Sequence, residues 1–68
     1  MNQSPRFLIK ILEKNGFHLK RSKGSHKLYY NAESNKTVIV PFHGGNDLKK
    51  GTLLAILKQA GIDKSAFE

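Results

Sequence analysis

The chain contains no cysteine. Disulfides, thiolate nucleophiles and cysteine-ligated zinc are therefore excluded. Acidic residues are scarce: five Asp and Glu stand against twelve Lys and Arg, giving a net charge of +7. The carboxylates that exist, Glu13, Glu33, Asp47, Asp63 and Glu68, are scattered along the chain. No cluster of them suits a metal-ion nuclease, so neither a metal nor another cofactor is expected. Apolar runs are short, well below the ~20 residues that a membrane-spanning helix needs, and no membrane partner is expected. The N-terminal segment carries Lys10 and lacks the apolar core of a signal peptide, which points to the cytoplasm. Length is limited as well. A chain of 68 residues holds one domain at most, expected to span 1–68. A domain of that size buries only about 60% of its unfolded surface, so any site on it must be shallow and built from few groups.

What the sequence does have is positive charge gathered in one place. Between Lys14 and Ala32 there is no acidic residue, while Lys14, Lys20, Arg21, Lys23 and Lys27 all fall there together with His18 and His26. A pI near 10.0 with such a patch is the electrostatic footprint of a domain that meets a polyanion, nucleic acid first among them.

The order of elements follows from periodicity and punctuation. Ser4-Pro5 is a cap followed by the residue best tolerated at a first helical position. Phe7, Leu8, Ile11 and Leu12 then recur at helical spacing, and Asn15-Gly16 ends a helix expected over Pro5 to Lys14. Phe17, Leu19 and Arg21 alternate with His18, Lys20 and Ser22, the period of a strand with Arg21 on the side of Leu19. Lys23-Gly24-Ser25 is a turn, His26 to Asn31 a second strand, and the β-branched Thr37 to Val40 a third, stopped at Pro41. His43 to Asp47 reads as a loop. Leu53, Ile56, Leu57 and Ala60 mark a second amphipathic helix closed by Gly61, with Asp63 able to cap a last turn in which Ile62 and Phe67 cover the core edge. The expected fold is α+β: α-β-β-β-α, a three-stranded antiparallel meander with two helices on one face, like a double-stranded-RNA-binding domain.

A meander places His26, at the start of the second strand, beside the exit of the third. His43, Lys23, Lys27, Lys49, Lys50 and the start of the second helix lie toward the same end. Two imidazoles and several cations suit a phosphodiester. RNA carries its own nucleophile in the 2′-OH, so cleavage needs a proton acceptor, a proton donor and positive charge, and no metal. An imidazole, with an ordinary pKa of about 6.5, suits that proton transfer. On these residues alone His26 reads first as a turn histidine that caps a backbone group and second as a catalyst, and His43 first as a plain loop residue. Gly24 permits the turn or lets backbone approach a phosphate. Of Tyr29 and Tyr30, one must face inward by parity.

Three segments in order resemble the HicA family, the toxin half of HicA–HicB toxin–antitoxin pairs. They are Arg21-Ser22-Lys23-Gly24-Ser25-His26 followed by Tyr29, then Val40-Pro41-Phe42-His43, then Lys50-Gly51-Thr52-Leu53 running into Ile56-Leu57-Lys58-Gln59-Ala60-Gly61. The resemblance implies an endoribonuclease that cleaves mRNA and is neutralised by a HicB-like antitoxin protein. It implies that His26, which follows Gly-Ser, is the catalytic histidine. It also implies that Tyr29 faces the core, leaving His26 and Leu28 on the open side, and that Gly51, Thr52 and Leu53 are structural. The basic stretch and the convergence at this end of the sheet make Arg21, Lys23, Gly24, Ser25, Lys27, Lys49 and Lys50 candidate RNA contacts and His43 a candidate second proton-transfer group. Two other readings of the sequence are a non-catalytic RNA-binding module of the same fold and an inactive partner of an antitoxin-like protein.

Overall fold

Six elements follow one another in the computed structural model, which describes residues 1–67, so that Glu68, the last residue of the expected domain, lies outside it. They are helix α1 (Pro5–Lys14), strands β1 (His18–Lys23), β2 (His26–Asn31) and β3 (Lys36–Pro41), helix α2 (Lys50–Ala60) and a 3-10 turn at Lys64–Phe67. The strands form an antiparallel sheet in the order β1-β2-β3, as a meander requires. The α-β-β-β-α arrangement expected from periodicity is the one observed. Among the described residues no helix is long and apolar enough to cross a membrane.

Both helices end in the same way. At α1 the Phe17 amide donates to the Leu12 carbonyl (3.0 Å) and Gly16 to Glu13 (3.2 Å), and at α2 Ile62 donates to Leu57 (2.9 Å) and Gly61 to Lys58 (3.2 Å). This pair of hydrogen bonds satisfies carbonyls that a helix end leaves orphaned, and it drives the next apolar residue back toward the core. Phe17 is accordingly buried, and Ile62 packs against the core edge. At the other end of α1 the Ser4 hydroxyl accepts from the Phe7 amide.

The stripes Leu8, Ile11 and Leu12 of α1 and Leu53, Ile56, Leu57 and Ala60 of α2 are buried against Tyr29, Val38 and Val40 of the sheet. Phe67 closes one edge, with its ring set edge-on to Phe7 at 5.0 Å. Leu48, which the sequence placed next to a plain loop, is buried too. It is held by a reciprocal pair with the N-terminal segment: its amide donates to the Gln3 carbonyl (2.8 Å) and the Gln3 Nε2 donates to its carbonyl (2.7 Å).

One polar residue in the interior links three segments. Asn31 is 8% exposed. Its Nδ2 donates to the Asn15 carbonyl (2.9 Å), while its Oδ1 accepts from the amides of Glu33 (2.9 Å) and Ser34 (3.2 Å). The end of α1 and the turn between β2 and β3 are therefore tied through a single side chain. Gly16 lies so close that a Cβ there would come within 3.2 Å of the Asn31 Nδ2, and its φ is +89°. Glycine adopts that left-handed geometry freely.

Replacing Asn31 by Ala strands three backbone groups and is expected to lower unfolding stability by about 1–3 kcal/mol, read from urea denaturation. Asp63 gives a pH-dependent counterpart. Its carboxylate accepts from the Ser65 amide (2.8 Å), which holds its pKa below the ordinary carboxylate value. A lowered folded pKa stabilises above the unfolded value, and that contribution is lost as pH falls through the folded one. The Lys64–Phe67 turn is therefore expected to fray on acidification below the carboxylate range, followed by the Ala66 amide resonance, and to stay insensitive in Asp63→Asn.

Candidate functional site

The turn between β1 and β2 contains only Gly24 and Ser25, with Lys23 paired to His26 across it. Gly24 has a φ of +58°. That is the left-handed first position that two-residue hairpins assign to glycine. A turn this short fixes register. Lys23 faces the same side as His26, Ser22 as Lys27, and Arg21 as Leu28. On the far edge His26 is opposite Pro41, and Leu28 is opposite Ile39. The Phe42 amide closes this end of the sheet by donating to the Ser25 carbonyl (2.6 Å).

The parity expected for β1 is corrected here. Simple alternation puts Arg21 on the side of Leu19, but the pairing skips a residue between Leu19 and Arg21. Lys20 is the extra residue of a β-bulge, which lets two residues oppose one and changes the phase of the strand. The hairpin turn thus holds Arg21 and Lys23 on the face of His26, and the bulge restores the phase that the burial of Phe17 requires. The whole of β1 is exposed, with Leu19 50% accessible, so the strand adds little to the core.

The result is a hollow of about 480 Å³ on the face of the sheet away from the helices, lined by Arg21, Lys23, Gly24, His26, Leu28 and Ile39. Cations and the His26 imidazole edge it, and Leu28 and Ile39 form an apolar floor. His26 itself is exposed. Ile39 was not singled out from the sequence, although inward-facing Val38 and Val40 dictate by parity that it point outward.

Other candidate residues lie elsewhere. Lys27 has the opposite parity to His26. Its ammonium sits 5.3 Å from the centre of the Phe42 ring, which the Arg6 guanidinium also approaches at 5.9 Å. Cations at that range are attracted by the ring's electron-rich face. Ser25 contributes its carbonyl to the hydrogen bond with Phe42. His43 lies in the loop after β3, where its carbonyl accepts from the Asn46 amide (3.1 Å). Lys49 is the cap position of α2, with no side-chain capping bond, and Lys50 is its first residue. None of these side chains lines the hollow.

The tyrosines divide as parity requires. Tyr29 is buried, and burial together with the Glu13 carboxylate raises its phenol pKa. Tyr30 is on the open face, its ring covered by the Lys20 ammonium at 4.8 Å and its hydroxyl donating to Asn35 Oδ1 (3.0 Å). Among the described residues no group of three or more His, Asp or Glu side chains is placed to hold a metal ion.

A family model described as the HicA toxin of bacterial toxin–antitoxin systems matches residues 6–62. The match runs from Arg6, the second residue of α1, past the end of α2 and contains every residue of the hollow. No curated protein matches the chain.

The two faces of the sheet make a distinction that salt titration can read. Removing one phosphate contact to single-stranded RNA flattens the slope of log K against log salt by about 0.7. Arg21→Ala and Lys23→Ala are each expected to show that change in anisotropy titrations, and the same measurement on Lys27→Ala reads whether the strand also reaches the other face.

Proposed function

The chain belongs to the HicA toxin family, and from that premise we propose that it is an mRNA-cleaving endoribonuclease in which His26 carries the proton transfer. The observation that supports this reading is the exposed His26 imidazole at the edge of a hollow whose other polar wall is Arg21 and Lys23. A phosphodiester lying there meets positive charge from two side chains and a group able to take or give a proton.

In the chemistry proposed, the 2′-oxygen of RNA attacks the adjacent phosphorus as its proton passes to the His26 imidazole. The bond from phosphorus to the 5′-oxygen breaks, and that oxygen takes up a proton as it leaves. The products are a 2′,3′-cyclic phosphate and a 5′-hydroxyl. Arg21 and Lys23 neutralise charge that grows on the phosphate oxygens in the transition state, where a preorganised cation contributes most. His26 serves the first proton transfer as base, or the second as acid. His43, two residues beyond the Pro41 that faces His26, is the candidate for the complementary step. Lys49 and Lys50, at the uncapped start of α2, are candidates for holding the RNA strand further along. None of these steps uses a metal.

The proposed partners are mRNA as substrate and a HicB-like antitoxin as inhibitor, and the proposed location is the cytoplasm, where both are made. An acidic surface laid over Arg21, Lys23 and His26 would block the site and associate quickly. The same basic face on a protein that binds RNA and leaves it intact is the competing reading.

Incubating wild type and His26→Ala with labelled RNA in EDTA tests the assignment, with circular dichroism to establish that both are folded. Wild type is expected to cleave RNA and to spare DNA of the same sequence, and the variant to lose about 100- to 10,000-fold in rate. Full activity in folded His26→Ala would sink the role of His26. RNA bound but uncut by wild type would favour the binding module.

A further inference from the structure

The open face of the sheet carries two apolar side chains that a phosphate-binding surface does not need. Leu28 and Ile39 are cross-strand partners on β2 and β3, and together they floor the hollow beside His26. Ile39 is 53% exposed. Neither residue belongs to the core cluster, which is built on the opposite face. An apolar floor with Arg21 and Lys23 along one side fits a ligand that is flat and apolar in one part and anionic in another.

A nucleotide has that composition. Its phosphate wants Arg21 and Lys23, and the faces of its base are apolar surface that gains from leaving water. The spacing fits one residue of such a chain. His26 and Leu28 are two positions apart on one face of β2, hence about 7 Å, the reach from a backbone phosphate across its sugar to the base. The aromatic side chain of this face is not free to serve instead, because Lys20 covers the Tyr30 ring and Asn35 holds its hydroxyl.

We propose that Leu28 and Ile39 form a nucleobase subsite, in which a base adjoining the scissile phosphodiester lies flat on the apolar floor while that phosphodiester is held at His26. The inference rests on the ribonuclease reading and adds to it the residues that touch a base, Leu28 and Ile39, which only a strand unpaired at the point of cleavage can meet. In an A-form duplex the base faces are stacked, and only edges and backbone are within reach of a protein. A paired base would have to leave the stack to reach the floor, at a cost that a single strand does not incur. The protein therefore carries the α-β-β-β-α order of a duplex-binding domain while presenting single-strand chemistry on the side of the sheet that its helices leave open.

Binding to uncleavable strands separates this proposal from the catalytic one. A 2′-O-methyl oligonucleotide lacks the 2′-OH nucleophile, and an abasic strand of equal length and charge lacks the bases. By fluorescence anisotropy, wild type is expected to prefer the base-bearing strand about five- to tenfold, the lower end of what stacking on an aromatic side chain contributes, because this floor is aliphatic. Leu28→Ala and Ile39→Thr are each expected to reduce that preference toward unity and to leave affinity for the abasic strand unchanged. Ile39→Thr keeps a β-branched residue at an exposed position and so tests the floor in a folded sheet. That pattern supports the subsite even where no RNA is cut, in which case the ribonuclease reading alone fails. Equal affinity of wild type for both strands overturns the subsite, even where His26-dependent cleavage stands. A preference that survives in both variants also overturns it, and would assign the floor to a protein contact. So would cleavage of a strand annealed to its complement as fast as of the strand alone.

Discussion

Gly24 and Ser25 give the chain only two residues in which to reverse direction, and that shortness decides which side chains share a face with His26. A longer loop would let β1 slide against β2, and a slip of one residue exchanges the two faces of a strand. With the turn fixed, Lys23 and Arg21 are on the side of His26 and nowhere else. The demand made by the other end of β1 is different, since Phe17 must enter the core. Lys20 absorbs the conflict by bulging out of register, and its ammonium comes to rest over Tyr30. The cationic wall is thus a consequence of a tight turn and a buried phenylalanine that disagree by one residue.

The sheet divides two kinds of work between its faces. On one, Tyr29, Val38 and Val40 meet both helices and supply nearly all the apolar burial of the strands. On the other, Arg21, Lys23 and His26 border the hollow, and excess positive charge is left exposed. A surface of that kind opposes folding through self-repulsion. Any polyanion bound there also stabilises the folded chain by mass action. The thin core is reinforced by directional contacts instead of bulk: the paired helix ends, the Asn31 tie and the reciprocal bonds between Gln3 and Leu48.

The legible parts of the sequence are those where one physical rule acts alone. The helix bounds at Lys14 and Ala60 follow from glycines that accept left-handed geometry beyond them. The second strand and the inward face of the third follow from period two, and the basic patch from counting charge. The convergence of Lys23 and His26 follows from the meander. The unreadable parts are those where two rules compete or where a contact spans the chain. The bulge at Lys20 arises from a conflict between a turn and a buried residue, and plain alternation cannot show it. Leu48 is buried because it meets Gln3, a partner 45 positions away in sequence. Asn31 looks like one more polar residue entering a turn, and only the folded chain shows that the end of α1 depends on it. The apolar floor falls between these cases: parity dictates an outward Ile39, yet a lone isoleucine in a β-branched run reads as core.

All six residues of β1 are exposed, and their side chains leave the core unaltered when they change. For folding, variation on this strand is consequently cheap, whereas the proposed chemistry constrains Arg21 and Lys23. A lineage can exchange residues along it, or across the strands on Leu28 and Ile39, without first acquiring compensating mutations among the packed helices. Mutational drift then falls on what the protein recognises, while the machinery of folding stays under separate selection. On the proposed reading, positions of this surface outside Arg21, Lys23 and His26 can alter what the toxin recognises without altering its shape.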